Sequence, residues 1–280
     1  MIKDFQTYIN EGLFDRSQSE FSIGKTDKGI EQVYIPKTMD ELYEYIKLDI
    51  EQAKKEGTYP NVNLNNIDVS EVAKLKNELE YLFGGFEDKF DIAPDISNWK
   101  IKYIPNNFFD TNKHIKEFTI PNGVTRIGNE AFADCSNLTS VKIPNSVTSI
   151  GHYAFTVCTS MSSIVIPNRV TSIRECAFSG CDGLTSVTIG NSVISIEESA
   201  FQDCKGLTSI VIGNKVTNIG DGAFWDCSSL KSVTIPNSVA SIGRYAFQDC
   251  KGLTSVTIPK NCIIDANSFP KKCKVTRRDD

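Results

Sequence analysis

Leu138-Thr-Ser-Val-Lys-Ile-Pro-Asn-Ser-Val-Thr-Ser-Ile-Gly-His-Tyr-Ala-Phe-Thr-Val-Cys158 is one turn of a phrase that recurs every 23 residues between positions 118 and 275. A fixed period of this length is the mark of stacked repeats, so the columns are read before anything else. Isoleucine stands at Ile120, Ile143, Ile166, Ile189, Ile212, Ile235 and Ile258, and cysteine at Cys135, Cys158, Cys181, Cys204, Cys227, Cys250 and Cys273. Between them run Val124 to Val239, Ile127 to Ile242 and the pairs Ala131-Phe132 to Ala246-Phe247, each at the same interval.

A 23-residue unit with this many apolar columns cannot bury them alone. Each coil must lay its apolar edge on the next, which is a solenoid with a continuous core. Leu-x-x-Val-x-Ile ends in two-residue alternation and reads as a short strand, with Val141 and Ile143 inward and Ser140 and Lys142 outward. Pro144 and its equivalents end that strand, Val-x-x-Ile forms a second extended piece, and Gly-x-x-Ala-Phe-x-x-Cys reads as a helical turn.

The phrase Leu-Thr-Ser-Val-Thr-Ile-Pro-Asn-Ser-Val-x-Ser-Ile-Gly-x-x-Ala-Phe-x-x-Cys resembles the leucine-rich repeats of BspA-like bacterial surface antigens, over roughly residues 97 to 275. The resemblance implies an α+β repeat fold with a right-handed solenoid, no catalytic centre, a cell-surface or secreted location, and adhesion or protein binding. It carries over no specific binding residue, because the shared motif consists of core positions.

The ends depart from the phrase. Stepping back 23 residues finds Ile101, Ile104, Phe109, Ile115 and Phe118 in register, with Asn112 in the cysteine column, so the solenoid is expected to begin by residue 97. Trp99 reads as a residue sealing the first coil, and Asn66-Ile-Asp-Val-Ser70 as an eroded copy of Asp95-Ile-Ser-Asn-Trp99. At the other end Phe269 comes one position early and Pro270 takes the phenylalanine column, as in an atypical capping coil. Residues 1–15 carry a helical stripe, Phe21 to Ile35 suggest a hairpin turning at Asp27-Lys28-Gly29, and Thr38-Met-Asp-Glu41 opens a helix to about residue 56 with Gly57 as its stop. A second helix is expected after Asp68-Val-Ser-Glu71, ended by Gly84-Gly85. The expected organisation is a small α+β N-terminal domain at 1–60, a helical cap or eroded coil at 61–96, the solenoid at 97–257, and a capping coil with a basic tail at 258–280.

The net charge of −5 divides into −9 over residues 1–96 and +4 over residues 97–280, so no broad basic surface for nucleic acid is expected. No stretch is apolar enough to insert in a membrane, and the first residues lack the apolar core of a secretory signal. The cysteines lie at one phase of the stack with parallel side chains, which disfavours disulfides and points to buried free thiols. Cys176 and Cys262 fall outside that ladder, the first a candidate exposed thiol and the second a core residue. Without Cys-x-x-Cys, a histidine cluster or a phosphate loop (Gly24-Lys25-Thr26 lacks the required upstream glycine), neither metal nor cofactor is expected. His114 and His152 build no catalytic arrangement.

What remains is surface. The outward strand positions are short and nearly uncharged, and Ser163, Val165, Ser186, Thr188, Ser209, Val211, Ser232 and Thr234 are the expected partner-binding residues. Tyr153, Trp225 and Tyr245, at positions variable between coils, join them as anchor candidates, with the covering of neighbouring coils as the plain alternative. The function expected is non-enzymatic recognition of a protein, or of a glycan, along the strand face. A structural or virion-associated assembly role and an enzyme within the N-terminal region are the alternatives, separable by self-assembly and by a pocket holding a shifted carboxylate.

Overall fold

In a computed structural model the described residues are 21–26, 29–34, 39–59, 61–65, 83 and 92–278, with the backbone alone described at 21–26, 29–34, 39–41, 43 and 44. The helical stripe of residues 1–15, the capping side chains at 38 and 41, the helix expected after Glu71 and Gly84-Gly85 lie outside the described residues or side chains.

The hairpin is present, β1 (Phe21–Thr26) pairing antiparallel with β2 (Gly29–Tyr34), and Gly24-Lys25-Thr26 close its first strand. Helix α1 spans Met39–Glu56 and buries Leu42, Tyr45, Ile46 and Ala53, the spacing of one helical face. Lys54 and Lys55 in its last turn complement the helix dipole, and Gly57 at φ 73° ends it in the left-handed conformation.

From there the chain winds in coils. The first ladder is parallel, β3 (Asn61–Asn63) with β4 (Ala93–Asp95), and with Asn61 opposite Ala93 its turn is longer than any later one. That register makes Asn63-Leu64-Asn65 the counterpart of Asp95-Ile96-Ser97, not Asn66 to Ser70 as the sequence suggested. Trp99 is buried and donates its indole N–H to the Leu64 carbonyl at 2.9 Å, sealing this coil as expected.

Two strand columns follow. The outer column consists of β6 (Glu117–Thr119), β8 (Ser140–Lys142), β10 (Ser163–Val165), β12 (Ser186–Thr188), β14 (Ser209–Val211), β16 (Ser232–Thr234) and β18 (Ser255–Ile258). They pair in twos, β6–β8, β10–β12 and β14–β16, each pair in the register of the repeat, as Glu117 opposite Ser140. The return column is β5 (Tyr103–Ile104), β7 (Arg126–Ile127) and β9 (Ser149–Ile150), then β11 (Ser172–Ile173), β13 (Ser195–Ile196), β15 (Asn218–Ile219), β17 (Ser241–Ile242) and β19 (Ile263–Ile264).

The segment between the return and outer strands is not a helical turn. In each middle coil two residues four apart are left-handed, among them Glu130 and Asp134, Tyr153 and Val157, Ser199 and Asp203, and Tyr245 and Asp249. Left-handed residues interrupt helical progression and aim alternate N–H groups at the next coil. Glu130, Phe132 and Asp134 thus donate to the carbonyls of His152, Ala154 and Thr156 at 2.8–2.9 Å. Asp134, Asp203, Asp226 and Asp249 recur because aspartate tolerates this conformation.

Inside, Phe132, Phe155, Phe178, Phe201, Phe224 and Phe247 form one stack with ring centroids 5.0–5.4 Å apart and planes within 9°. Beside it the buried cysteines Cys135, Cys158, Cys181, Cys204, Cys227 and Cys250 are free thiols, each Sγ–H donated to the phenylalanine carbonyl of the preceding coil at 3.1–3.2 Å. Parallel phase keeps them unbridged, and burial pushes their thiols up, with contact between neighbouring thiols the first cause at Cys227 and Cys250. Asn112 continues this ladder backwards in different chemistry. Fully buried, it donates to the carbonyls of Phe83 and Ile92 and accepts from the N–H groups of His114 and Ile115.

At the far end Ser241 stands opposite Ile263, a return step one residue shorter than the repeat. Phe269 therefore stacks on Phe247 at 5.2 Å and 2° despite its early place in the sequence, and Ser268 fills the alanine position with its hydroxyl donated to the Gly243 carbonyl. β20 (Lys274–Arg277) then pairs with β18 after a turn that is shorter still, Ser255 lying opposite Lys274. Cys273, which the repeat count placed in the thiol ladder, is consequently half-buried at the level of Thr254. Arg277 donates to the carbonyls of Pro259, Lys260 and Cys262, so part of the basic end satisfies the last turn's backbone.

Candidate functional site

The repeats fix backbone position and leave outward side chains free to vary, so any site is assembled from columns. On the outer strand column the registers Ser163↔Ser186, Val165↔Thr188, Ser209↔Ser232 and Val211↔Thr234 place all eight candidate residues on one face, and all eight are exposed. Val165 and Val211, 62% and 67% exposed, stand two coils apart, separated by the threonine of the coil between. At about 4.8 Å per coil the two valines are roughly 10 Å apart. The face has no charge from β10 to β16, so a partner approaching it desolvates hydroxyls and methyls only.

The aromatic candidates do not share that face. They belong to the turn segment, where Tyr153 and Tyr245 occupy the same left-handed column in coils four apart, about 19 Å along the stack. Trp225 and Tyr245 are brought together, ring centroids 6.3 Å apart, with the Trp225 indole N–H on Asp249 at 3.1 Å. The Arg244 guanidinium lies 4.5 Å from the Tyr245 ring centre, a cation–π contact. Tyr153 stands apart from this pair: its hydroxyl donates to Glu175 at 2.8 Å, and that bond holds the phenol's pKa above its usual range. His152 lies between Glu175, at 3.5 Å, and Arg174, at 3.2 Å. Cys176 alongside is half-buried, and its thiol is pushed up, first by burial and also by the charges of Glu175 and Glu198.

Asp110 is the carboxyl that stands out, pushed up to about 6 by burial and by the neighbouring charges of Glu130 and Asp134. Among the described residues no group of histidine, cysteine and carboxylate side chains has metal-binding geometry, and no helix is long and apolar enough to cross a membrane.

Sequence reasoning missed a cleft. Helix α1 borders a cleft of about 970 Å³ against β3, β4, β6, β8 and the end of β10. No motif marks it, because it arises from where a helix before the repeats comes to rest. The sequence signal available was the acidic character of residues 1–96.

A family description, BspA type leucine-rich repeat region in six copies, matches residues 55–162 and 148–276. No curated protein matches the chain. Among solved structures, a leucine-rich repeat protein from Eubacterium ventriosum ATCC 27560 is 27% identical over 64% of this chain and 48% of its own, with a TM-score of 0.56. A leucine-rich cell surface protein from Faecalibacterium prausnitzii A2-165 is 31% identical over 64% of this chain and 58% of its own, with a TM-score of 0.48. A leucine-rich repeat protein from Bacteroides ovatus ATCC 8483 is 24% identical over 66% of this chain and 61% of its own, with a TM-score of 0.43. The chain thus spans less than two thirds of each of these relatives.

Proposed function

We propose that this chain, which belongs to the BspA-type leucine-rich repeat family, is a non-enzymatic scaffold at a bacterial cell surface that recognises a protein along its outer strand face. The observation that carries the reading is the uncharged ladder from Ser163 to Thr234, with Val165 and Val211 largely exposed. Short side chains on a rigid frame lose little entropy on contact, and exposed valines at a fixed spacing provide apolar anchors. Stacked repeats supply such faces without a catalytic centre, and the roles of Trp225, Tyr245 and Tyr153 in this reading are peripheral, on the adjoining turn edge.

The test is capture from surface extracts by the full chain, compared with Val211→Arg and Ser186→Arg. Both substitutions sit at exposed strand positions and leave the core untouched. A protein retained by the wild type and lost with either arginine supports the reading; one retained equally by all three sinks the assignment to this face.

A further inference from the structure

The cleft under helix α1 has two walls of different origin, one from the helix and one from the strands. It is lined on the strand side by the outward Glu117, Thr119, Ser140 and Lys142, with the part-buried Val141 and Ile143 between them, and it extends to the exposed Val165. About 970 Å³ lies at the upper end of the range for ligand pockets, roughly 300–1,000 Å³, and the cleft is an open groove that an extended chain can enter lengthwise.

The charges are sorted. Carboxylates stand on both walls, Asp49 and Glu56 on the helix, Asp95 and Glu117 on the strands, against Lys142 as the single cation among the described lining residues. Burial works to raise Asp95, but the N–H and hydroxyl of Ser97 and the amide of Asn65 outweigh it and hold the carboxyl below its usual range, so it stays ionised. A lysine or arginine side chain laid across this groove brings its cation between carboxylates of the helix and of the strands. The uncharged ladder farther along the same face makes no such demand.

We propose that the groove between helix α1 and strands β3, β4, β6, β8 and β10 is a docking site for an extended, lysine- or arginine-bearing segment of a partner protein. The groove meets the ladder at Val165, but its carboxylates lie outside the ladder and Val211 lies outside the groove, so variants at those positions tell the two apart.

The probe is a fluorescein-labelled peptide of alternating lysine and threonine, with a glutamate-threonine peptide of the same length as its control, followed by anisotropy on the full chain at low and high salt. The basic peptide is expected to bind and the acidic one not. Glu56→Gln combined with Glu117→Gln, one carboxylate from each wall, is expected to weaken binding about tenfold and flatten its salt dependence. Lys142→Glu is expected to tighten it, while Glu198→Gln and Val211→Arg leave it unchanged. Failure of the basic peptide to bind overturns the proposal, as does equal weakening by Glu198→Gln, which would report only the chain's overall acidity. Equal weakening by Val211→Arg would move the contact to the ladder. Self-association in sedimentation velocity that the Glu56→Gln/Glu117→Gln variant abolishes would replace the foreign partner with the basic end of a second copy, Lys271 to Arg278.

Discussion

Between Phe132 and Phe247 the ring column advances by the full repeat at each step, whereas Phe83 precedes Phe109 by a longer stretch of chain and Phe269 follows Phe247 by a shorter one. The rings nevertheless keep one geometry: 5.5 Å and 14° at the first of these irregular steps, 5.2 Å and 2° at the last, beside 5.3 Å and 5° in the middle. What the coils preserve is the contact, and the count of residues between contacts is free to change where the chain runs over the surface. The middle and the ends therefore differ in how many neighbours each interior residue has, and that difference can be measured.

The largest effect is expected from Phe178→Ala. Its ring is fully buried between Phe155 and Phe201, and removal leaves a cavity flanked by two unstacked rings, a loss of about 3–5 kcal/mol. Phe269, with Phe247 as its one stacking partner among the described residues, is expected to cost about half as much when truncated, because the last coil relaxes into the gap. Urea unfolding of the two variants decides it: equal losses would mean that the end coil is as integral as the middle.

Asn112→Ala comes next. The side chain satisfies two carbonyls and two N–H groups in a fully buried position, and its loss is expected to cost about 2–3 kcal/mol, the lower part of what about 0.5–1.5 net per hydrogen bond gives over four bonds. Asn112→Cys restores the thiol-to-carbonyl bond seen at Cys135 but leaves the two N–H groups unmet, so it is expected to recover only part of that loss. Full recovery would show that the ladder position, and not the amide, is what the first coil needs.

These two positions also show where sequence reading succeeds. Asn112 and Phe178 were legible because a coil is stabilised by its copies, so identical solutions recur at a fixed interval and the columns expose the core. The outer face was legible for the same reason, since inward valines fix outward serines. The overlong first coil, the shortened step that takes Cys273 out of the ladder and the return step one residue short at Ile263 were not, because each occurs once and a period cannot announce its own exceptions. The left-handed turn was misread as helical because Ala-Phe-x-x-Cys has helical spacing, while the deciding N–H bonds run to the next coil. The cleft depends on a tertiary placement of α1 that no local pattern encodes.

The thiols sharpen the comparison by pH. Their folded-state ionisation lies above the ordinary thiol value of about 8.5, so above that pH the unfolded chain releases protons that the folded chain keeps. Stability is then fully present below about pH 8 and falls as pH rises, by about 1.4 kcal/mol per pH unit for each such thiol. Cys204→Ala is expected to cost about 1 kcal/mol at neutral pH through its lost bond to Phe178 and to make the alkaline decline shallower by one thiol. Cys273→Ala, outside the ladder, is expected to change that decline less. Thermal melts from pH 7 to 10 distinguish them, and identical slopes would refute the assignment of the alkaline loss to the ladder.

Val157 is where one middle coil departs from its neighbours. It occupies the left-handed column at φ 56°, where other coils place Asp134, Gly180, Asp203, Asp226 and Asp249. A β-branched residue meets its own carbonyl there, a cost of about 1–2 kcal/mol that aspartate and glycine reduce. The residue is 37% exposed, so packing offsets the strain only in part. Val157→Asp is therefore expected to stabilise the protein by about 0.5–1 kcal/mol, a smaller gain than the full strain because the side chain gives up partial burial. The same substitution at Val147, a core valine of the same coil, is expected to unfold it, which separates the effect of conformation from that of added charge. If Val157→Asp instead lowers the melting temperature, the valine methyls contribute more through contact than the left-handed backbone costs, and the turn column is held by side-chain packing between coils.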